Sequence, residues 1–568
     1  MMALKLIVLL SLLLFFSHAN SWAGGGPENV FLVVNQNSPE SLTVANHYIE
    51  LRKIPPTNVF YLAYPPLKAA TSGPEFTLHV LDPLFKEIEQ RKLTNQIDYV
   101  VYSTNFPWRV DFGKSFPGET FPREMNPIVS PTSATFLYAF IQHKRKEMMN
   151  LGANFYCAPF NPMFVASRGF RSSYRWSLGG RRAGAEGLPY MLSAMLGVTS
   201  VPGNTVDEIA WYLKRAAGAD GTSPKGTIYY AKNDTIRSTV RDKEFPDAAR
   251  LVQTTGVRAE IFTGFYPLNK SDIAGVTCGH SLVNPAVSKS IHLPGAFCDN
   301  FTSAGGQFLP NKGQTCISEF LRLGAAGACG SIVEPYAIPM KFPNASFNVH
   351  YVHGCSLAES YYQSVSAPFQ QILIGDPLCQ PWAKIPAVKL KGLENKAVLA
   401  GKVEFSATAE NAEEGVASFR LFIDGSLHEE SRPNDSLELD TTTLADGYHE
   451  IRVVAVDSTP IETQGRWIGE VTVKNGTDAI QLSINKDSLS PASGQLVLNL
   501  FATTAVPAEV YGNGKKLGVV ATGTGHLSVG KLKIGSGPIT FQAVSTGEPQ
   551  LRSRPVVAMI PWVKPAAP

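Results

Sequence analysis

The stretch from Cys278 to Leu378 decides the fold, and four short runs within it carry the decision: Cys278-Gly279-His280-Ser281, Phe297-Cys298-Asp299, Gly324-Ala-Ala-Gly-Ala-Cys-Gly-Ser331 and Ile372-Leu-Ile-Gly-Asp-Pro-Leu378. Each sits at one end of a short apolar run, which predicts strands at 273–278, 292–298, 327–333 and 371–374 with helices at 316–323 and 356–365 between them. Continuous apolar strands alternating with helices imply a mainly parallel sheet with helices on both faces. In such sheets, sites form where the carboxyl ends of strands meet their loops. His280 and Cys298 both fall there.

Working towards the amino terminus, the same alternation recurs. Val30 to Val34 is a β-branched run, followed by Ser38 as a helix cap, Pro39 at the first helical position and Glu40 in the first turn, so a helix is expected from there to about Arg52. Further elements are expected as a helix at 83–92, a strand at 97–103, a strand at 227–231, a helix at 246–255 and a strand at 259–262. Between 125 and 222 the pattern loosens into an irregular elaboration with helical stretches at 134–149 and 206–217. The α/β unit is thus expected to span 24–386.

A cysteine peptidase needs a thiolate beside an imidazole that takes and returns its proton, together with backbone N–H groups for the oxyanion. His280 and Cys298, ending consecutive expected strands, supply the residue types. The surrounding order strengthens the signal. The chain resembles the gingipain-like family of caspase-fold cysteine peptidases, in which a strand ending in Gly-His-Gly precedes a strand ending in the catalytic Cys. A helix, a Gly-rich strand and a last strand ending in Leu-Gly-Asp-Pro then follow. The resemblance covers roughly 270–382, while the Asn35 to Ser41 element and the run Asp299 to Gly306 are similar to a group of exported bacterial proteins without assigned activity. It implies a cysteine endopeptidase with His280 as general base, Cys298 as nucleophile and oxyanion donors near 279–281 and 298, acting on protein or peptide. Ser281 stands where the family has glycine, and the interval from His280 to Cys298 is short. These departures keep a second reading open, that of a catalytically inactive secreted or envelope-associated binding scaffold.

Other candidates have structural explanations. Asp376 is expected to accept backbone hydrogen bonds and fix the turn before Pro377. His350 and His353 have a metal-ligand spacing without a third ligand, and are expected to be loop residues. Glu334-Pro-Tyr336 and Asn105-Phe-Pro-Trp-Arg109 could line a cleft. The seven cysteines all lie between 157 and 379, so in an exported chain at least one is left unpaired. Nothing calls for a cofactor or a metal.

Beyond Trp382-Ala-Lys-Ile-Pro386, expected to be a linker, apolar residues alternate at period two: Val403, Phe405, Ala407; Phe419, Leu421, Ile423; Ile451, Val453, Ala455. With turn signals at Asp424-Gly425 and Asp446-Gly447, the pattern predicts an immunoglobulin-like β-sandwich at 387–474. A second β-rich module is expected at 475–568, with Asn513-Gly514 as a hairpin turn.

Lys5, the apolar run 6–16 and Ser21-Trp22-Ala23 predict a removable signal peptide over 1–23, hence a periplasmic or secreted protein with no integral membrane segment after its removal. A formal net charge of +3, with 44% hydrophobic and 17% charged residues, is that of an ordinary globular chain. No basic stripe interleaved with aromatics points to nucleic acid. The cluster Arg168, Arg171, Arg175, Arg181 and Arg182 is expected to be a solvated face or a set of interdomain ion pairs.

Overall fold

The structure is a computed structural model that describes residues 25–65, 68–310, 313–412 and 414–561. The expected leader, 1–23, lies outside the described residues. A ten-stranded sheet forms the centre of the α/β unit. Its strands in chain order are β1 (Val30–Asn35), β2 (Val59–Leu62), β3 (Tyr99–Tyr102), β4 (Leu192–Met195), β5 (Thr227–Lys232), β6 (Arg258–Thr263), β7 (Ile273–Cys278), β8 (His292–Asn300), β9 (Gly327–Ser331) and β10 (Gln371–Gly375). Their spatial order is β6-β5-β7-β8-β9-β10-β4-β3-β1-β2. The pairs within β5–β9 and within β1–β4 are parallel. β10 runs antiparallel to β9 and meets β4 at a single residue pair, Ile374 with Met195. The sheet is therefore mixed, and the reversal of β10 puts Asp376 at the opposite edge of the β7–β9 block from His280.

Local chemistry explains these elements. Helix α1 (Pro39–Arg52) starts where Ser38 Oγ accepts the Ser41 N–H at 3.1 Å and Pro39 occupies the first turn, a cap that contributes about 1 kcal/mol. β1 is buried along its whole length, as an internal strand covered on both faces must be. In the elaboration the helix expected at 134–149 is instead three short pieces, Pro131–Phe136, Tyr138–Gln142 and Lys146–Met149. Ser133 Oγ donates to the carbonyls of Pro368 and Gln371, which ties the first piece to the start of β10 and sets its direction. Lys144, at φ +50°, separates the second piece from the third.

Three hydrophobic cores follow one another along the chain. The second is a two-sheet sandwich whose inner faces carry Phe405, Ala407, Phe419, Leu421, Ile423, Ile451, Val453 and Ala455, the alternating residues of the sequence pattern. Asp424-Gly425 joins strands Val416–Ile423 and Ser426–Ser431, with both residues at positive φ, as a two-residue hairpin turn requires. Asn513-Gly514 does the same between Ala508–Gly512 and Lys515–Val520. Asp446-Gly447 is not a turn. It begins strand Asp446–Asp457, and its backbone pairs with Leu551 and Arg552. Gly447 sits at φ +117°, and a Cβ there would lie 1.9 Å from the Arg552 carbonyl oxygen. That close approach joins the two β-rich parts into one continuous sheet.

The connector is not a free linker either. Trp382 and Ala383 are buried, and the β-rich parts are fastened to the α/β unit at several points. Glu28, fully buried, pairs with Arg452 at 3.0 Å and Arg466 at 3.3 Å. Asn46 donates to the carbonyls of Ile534 and Ser536, and Gln96 to that of Gly425. Both hairpin tips land on one segment: Thr57 donates to Asp424 O and Tyr61 to Asn513 O. A Cβ at Gly425 or Gly514 would collide with Pro55 or Pro56. Within the described residues no helix is long and apolar enough to cross a membrane.

Candidate functional site

The carboxyl ends of β7 and β8 form the edge on which the sequence places a catalytic pair. β7 ends at Cys278, and the following Gly279-His280 is held from three sides. Asn233 and Thr235 donate to Gly279 O, while Asn300 accepts the His280 N–H at 3.1 Å and donates to His280 O at 3.0 Å. A Cβ on residue 279 would sit 2.3 Å from Arg237 O, so packing alone requires glycine before the histidine. The His280 ring is half-buried and stacks on Phe265 with centroids 4.0 Å apart. Its Nδ1 lies 3.2 Å from the Leu282 N–H.

Cys298 is elsewhere. β8 continues two residues beyond it, through Asp299 and Asn300, and Cys298 is in register with Val276 of β7 and Ala328 of β9. His280 lies four positions beyond Val276, up to about 13 Å along an extended strand. The side chain is fully buried, and its Sγ lies 3.7 Å from Nε2 of His292, at the start of the same strand. The structure therefore does not bring His280 and Cys298 together. The strand-end residue beside His280 is Asn300, and the histidine beside Cys298 is His292.

The electrostatics of that inner pair oppose nucleophile activation. Burial raises the Cys298 thiol well above its ordinary value, with the neighbouring Cys278 adding to the effect, and lowers His292 to about 4. Both are neutral at pH 7. The Tyr266 hydroxyl lies 2.5 Å from His292 Nε2, so the thiol shares that nitrogen with a phenol. At the outer edge, the His280 N–H that could serve an oxyanion is already spent on Asn300.

The remaining polar groups hold the frame together. Asp299, facing the other side of β8, pairs with the buried Arg241, which also donates to Cys278 O. Burial nevertheless keeps Asp299 above the usual carboxylate range. Asp376 accepts the Leu378 N–H at 3.2 Å, as expected, and in addition binds Arg52 at 2.6 Å and Tyr48 at 3.0 Å, with Asp220 on the same guanidinium. His350 and His353 lie on or at the end of helix Ser346–Val352 rather than in a loop. His350 Nδ1 is bonded to Ser167, and His353 Nδ1 to Val349 O. Glu334 accepts from Ser303 and the Tyr336 N–H; Asn105 holds Ser38 and Thr199. In the arginine cluster, Arg171 pairs with the buried Asp98 and Arg182 with Glu462. All seven cysteines are buried and unpaired. No group of three His, Cys, Asp or Glu among the described residues is placed to hold a metal.

Sequence reasoning missed Asn300, His292, Tyr266 and Arg241. Asn300 had a usable signal, since strand alternation carried past Cys298 puts 300 on the same face as 298. Arg241 had none, because it comes from a loop between short helices.

No protein-family model matches the chain, and no curated protein matches it. Among solved structures, part of the chain is similar to fibronectin(III)-like modules of Clostridium thermocellum CbhA, at 16% identity over 31% of this chain and 94% of that one, with a TM-score of 0.15. The chain is also similar to dimeric latent PorU from Porphyromonas gingivalis, at 14% identity over 34% of this chain and 22% of that one, with a TM-score of 0.14. At these scores neither likeness carries an argument about activity, and no family is assigned.

Proposed function

We propose that this is an exported binding or scaffold protein. It keeps a caspase-like sheet without a working Cys/His dyad, and its β-sandwich parts are fixed to that sheet. The observation that carries this reading is the exchange at the strand ends: Asn300 stands beside His280 and takes its N–H, while Cys298 is buried against His292. Peptide-bond attack needs an accessible thiolate within reach of its base. Here the thiol is neutral and enclosed, and the accessible imidazole has an amide for a neighbour. The firmly packed contacts from Glu28, Asn46, Gln96 and Pro55–Thr57 support the scaffold half of the reading, because a surface built across fixed units is presented in one geometry.

Incubating the purified protein with a proteome-derived peptide library, beside Cys298→Ala and His280→Ala, tests the proposal. The same background cleavage is expected from all three. Cleavage by the wild type that disappears in both variants would sink it.

A further inference from the structure

We infer that the cleft between the α/β unit and the first sandwich is a binding site for a short neutral oligosaccharide, a reading that rests on the binding role proposed above. The cleft measures about 400 Å³, within the roughly 300–1,000 Å³ usual for small-molecule sites, which favour domain junctions. One wall is made by Ser223, Thr255, Val352 and His353, at or beyond the ends of helices Val206–Ala217, Phe245–Gln253 and Ser346–Val352. The other is the 457–463 segment of the sandwich, with Asp457, Thr459, Ile461 and Thr463; Trp382 and Lys384 of the connector lie between.

The chemistry of this lining selects the ligand class. The hydroxyls of Ser223 and Thr463 can both donate and accept, whereas Thr255 donates to Val252 O and Thr459 to Asp457, so these two offer a ligand only acceptor lone pairs. His353 commits Nδ1 to Val349 O at 2.6 Å, so its Nε2 is left as an acceptor in the neutral ring. The indole N–H of Trp382 is buried and has no hydrogen-bond partner among the described residues, although nearly all such donors find one. The one lysine and the one aspartate balance, which disfavours a strongly anionic or cationic ligand. Burial pushes Asp457 above the usual carboxylate range, and its Oδ1 accepts both the Thr459 N–H and the Thr459 hydroxyl, which fixes the carboxylate in the cleft wall. Val352, Ile461 and the indole provide apolar surface. A sugar ring, with hydroxyls that donate and accept around an apolar face, complements this mix of hydroxyls, imidazole and apolar surface; a lipid or a nucleotide matches less of it.

The test uses the purified chain, His353→Ala, and Thr255→Trp, which places bulk at the exposed rim. All are probed on an array of neutral plant, fungal and bacterial oligosaccharides, and the best-bound glycan is titrated by calorimetry. Saturable binding is expected, with Kd raised tenfold or more in each variant and no change in thermal midpoint. The inference is overturned if no glycan binds, if both variants bind as the wild type does, or if a zwitterionic dipeptide such as Ala-Ala occupies the cleft instead. Cleavage dependent on Cys298 would overturn the preceding proposal and leave a positive glycan result standing, so the two can fail separately.

Discussion

Two histidines attend strand β8, and their surroundings are opposite. His292 has a thiol within 3.7 Å, but both groups are sealed in the core and neutral. His280 stands at a half-open edge, stacked on Phe265, but its strand-end neighbour is the amide of Asn300. One place has the reactive atoms without access, the other access without the reactive atom. The comparison teaches that a dyad is a matter of strand register as much as residue type. Cys298 and Asn300 point to the same face of β8, and a step of two positions separates a buried thiol from the strand end.

The largest effect expected from this contrast is in thiol reactivity. Iodoacetamide labelling of Cys298 in the native protein should be at least about a thousandfold slower than in urea, because it needs an opening of the core that costs several kcal/mol. His280→Ala should leave that rate unchanged. Fast labelling that slows in His280→Ala would break the contrast outright.

Acid sharpens it next. His292 titrates at about 4 when folded and near its ordinary 6.5 when unfolded. Between those values the unfolded chain binds the extra proton, so the stability present above pH 6.5 is lost as pH falls towards 4, by roughly 3 kcal/mol. Urea unfolding of wild type and His292→Gln should show a correspondingly shallower acid loss in the variant. Equal slopes would mean His292 is not held neutral by burial.

Asn300→Ala should cost about 2 kcal/mol, since it removes both bonds to the His280 backbone and leaves buried groups unpaired. Hydrogen exchange at the His280 amide should accelerate, while Cys298 remains protected. The smallest effect is expected for Cys298→Ala, about 1 kcal/mol from a small cavity, with glycan binding unaltered. A Cys298→Ala variant that loses a function would reopen the enzyme reading.

The same contrast shows what the sequence could and could not tell. Helix α1 was legible to the residue, because Ser38, Pro39 and Glu40 state its start in local chemistry. The sandwich core was legible from period-two alternation. The end of β8 was not. Asp299 and Asn300 look like loop residues, and Arg241, the His280 backbone and the thiols of Cys278 and Cys329, all distant in sequence, satisfy them inside a strand. Asp446-Gly447 carries a turn signal because that dipeptide usually makes one, whereas here the glycine admits Arg552 of another strand. Glu28 with Arg452, 424 residues apart, has no local signature at all.

The two hairpin tips that rest on Pro55–Thr57 have a mechanical consequence. A pull applied at the far end of the chain would reach the α/β unit through Asp424-Gly425 and Asn513-Gly514 side by side, with the load shared among these tips, the Glu28 and Asn46 contacts and the buried connector. The β-rich half should therefore behave under tension as a brace rather than as a string of beads that yield one after another.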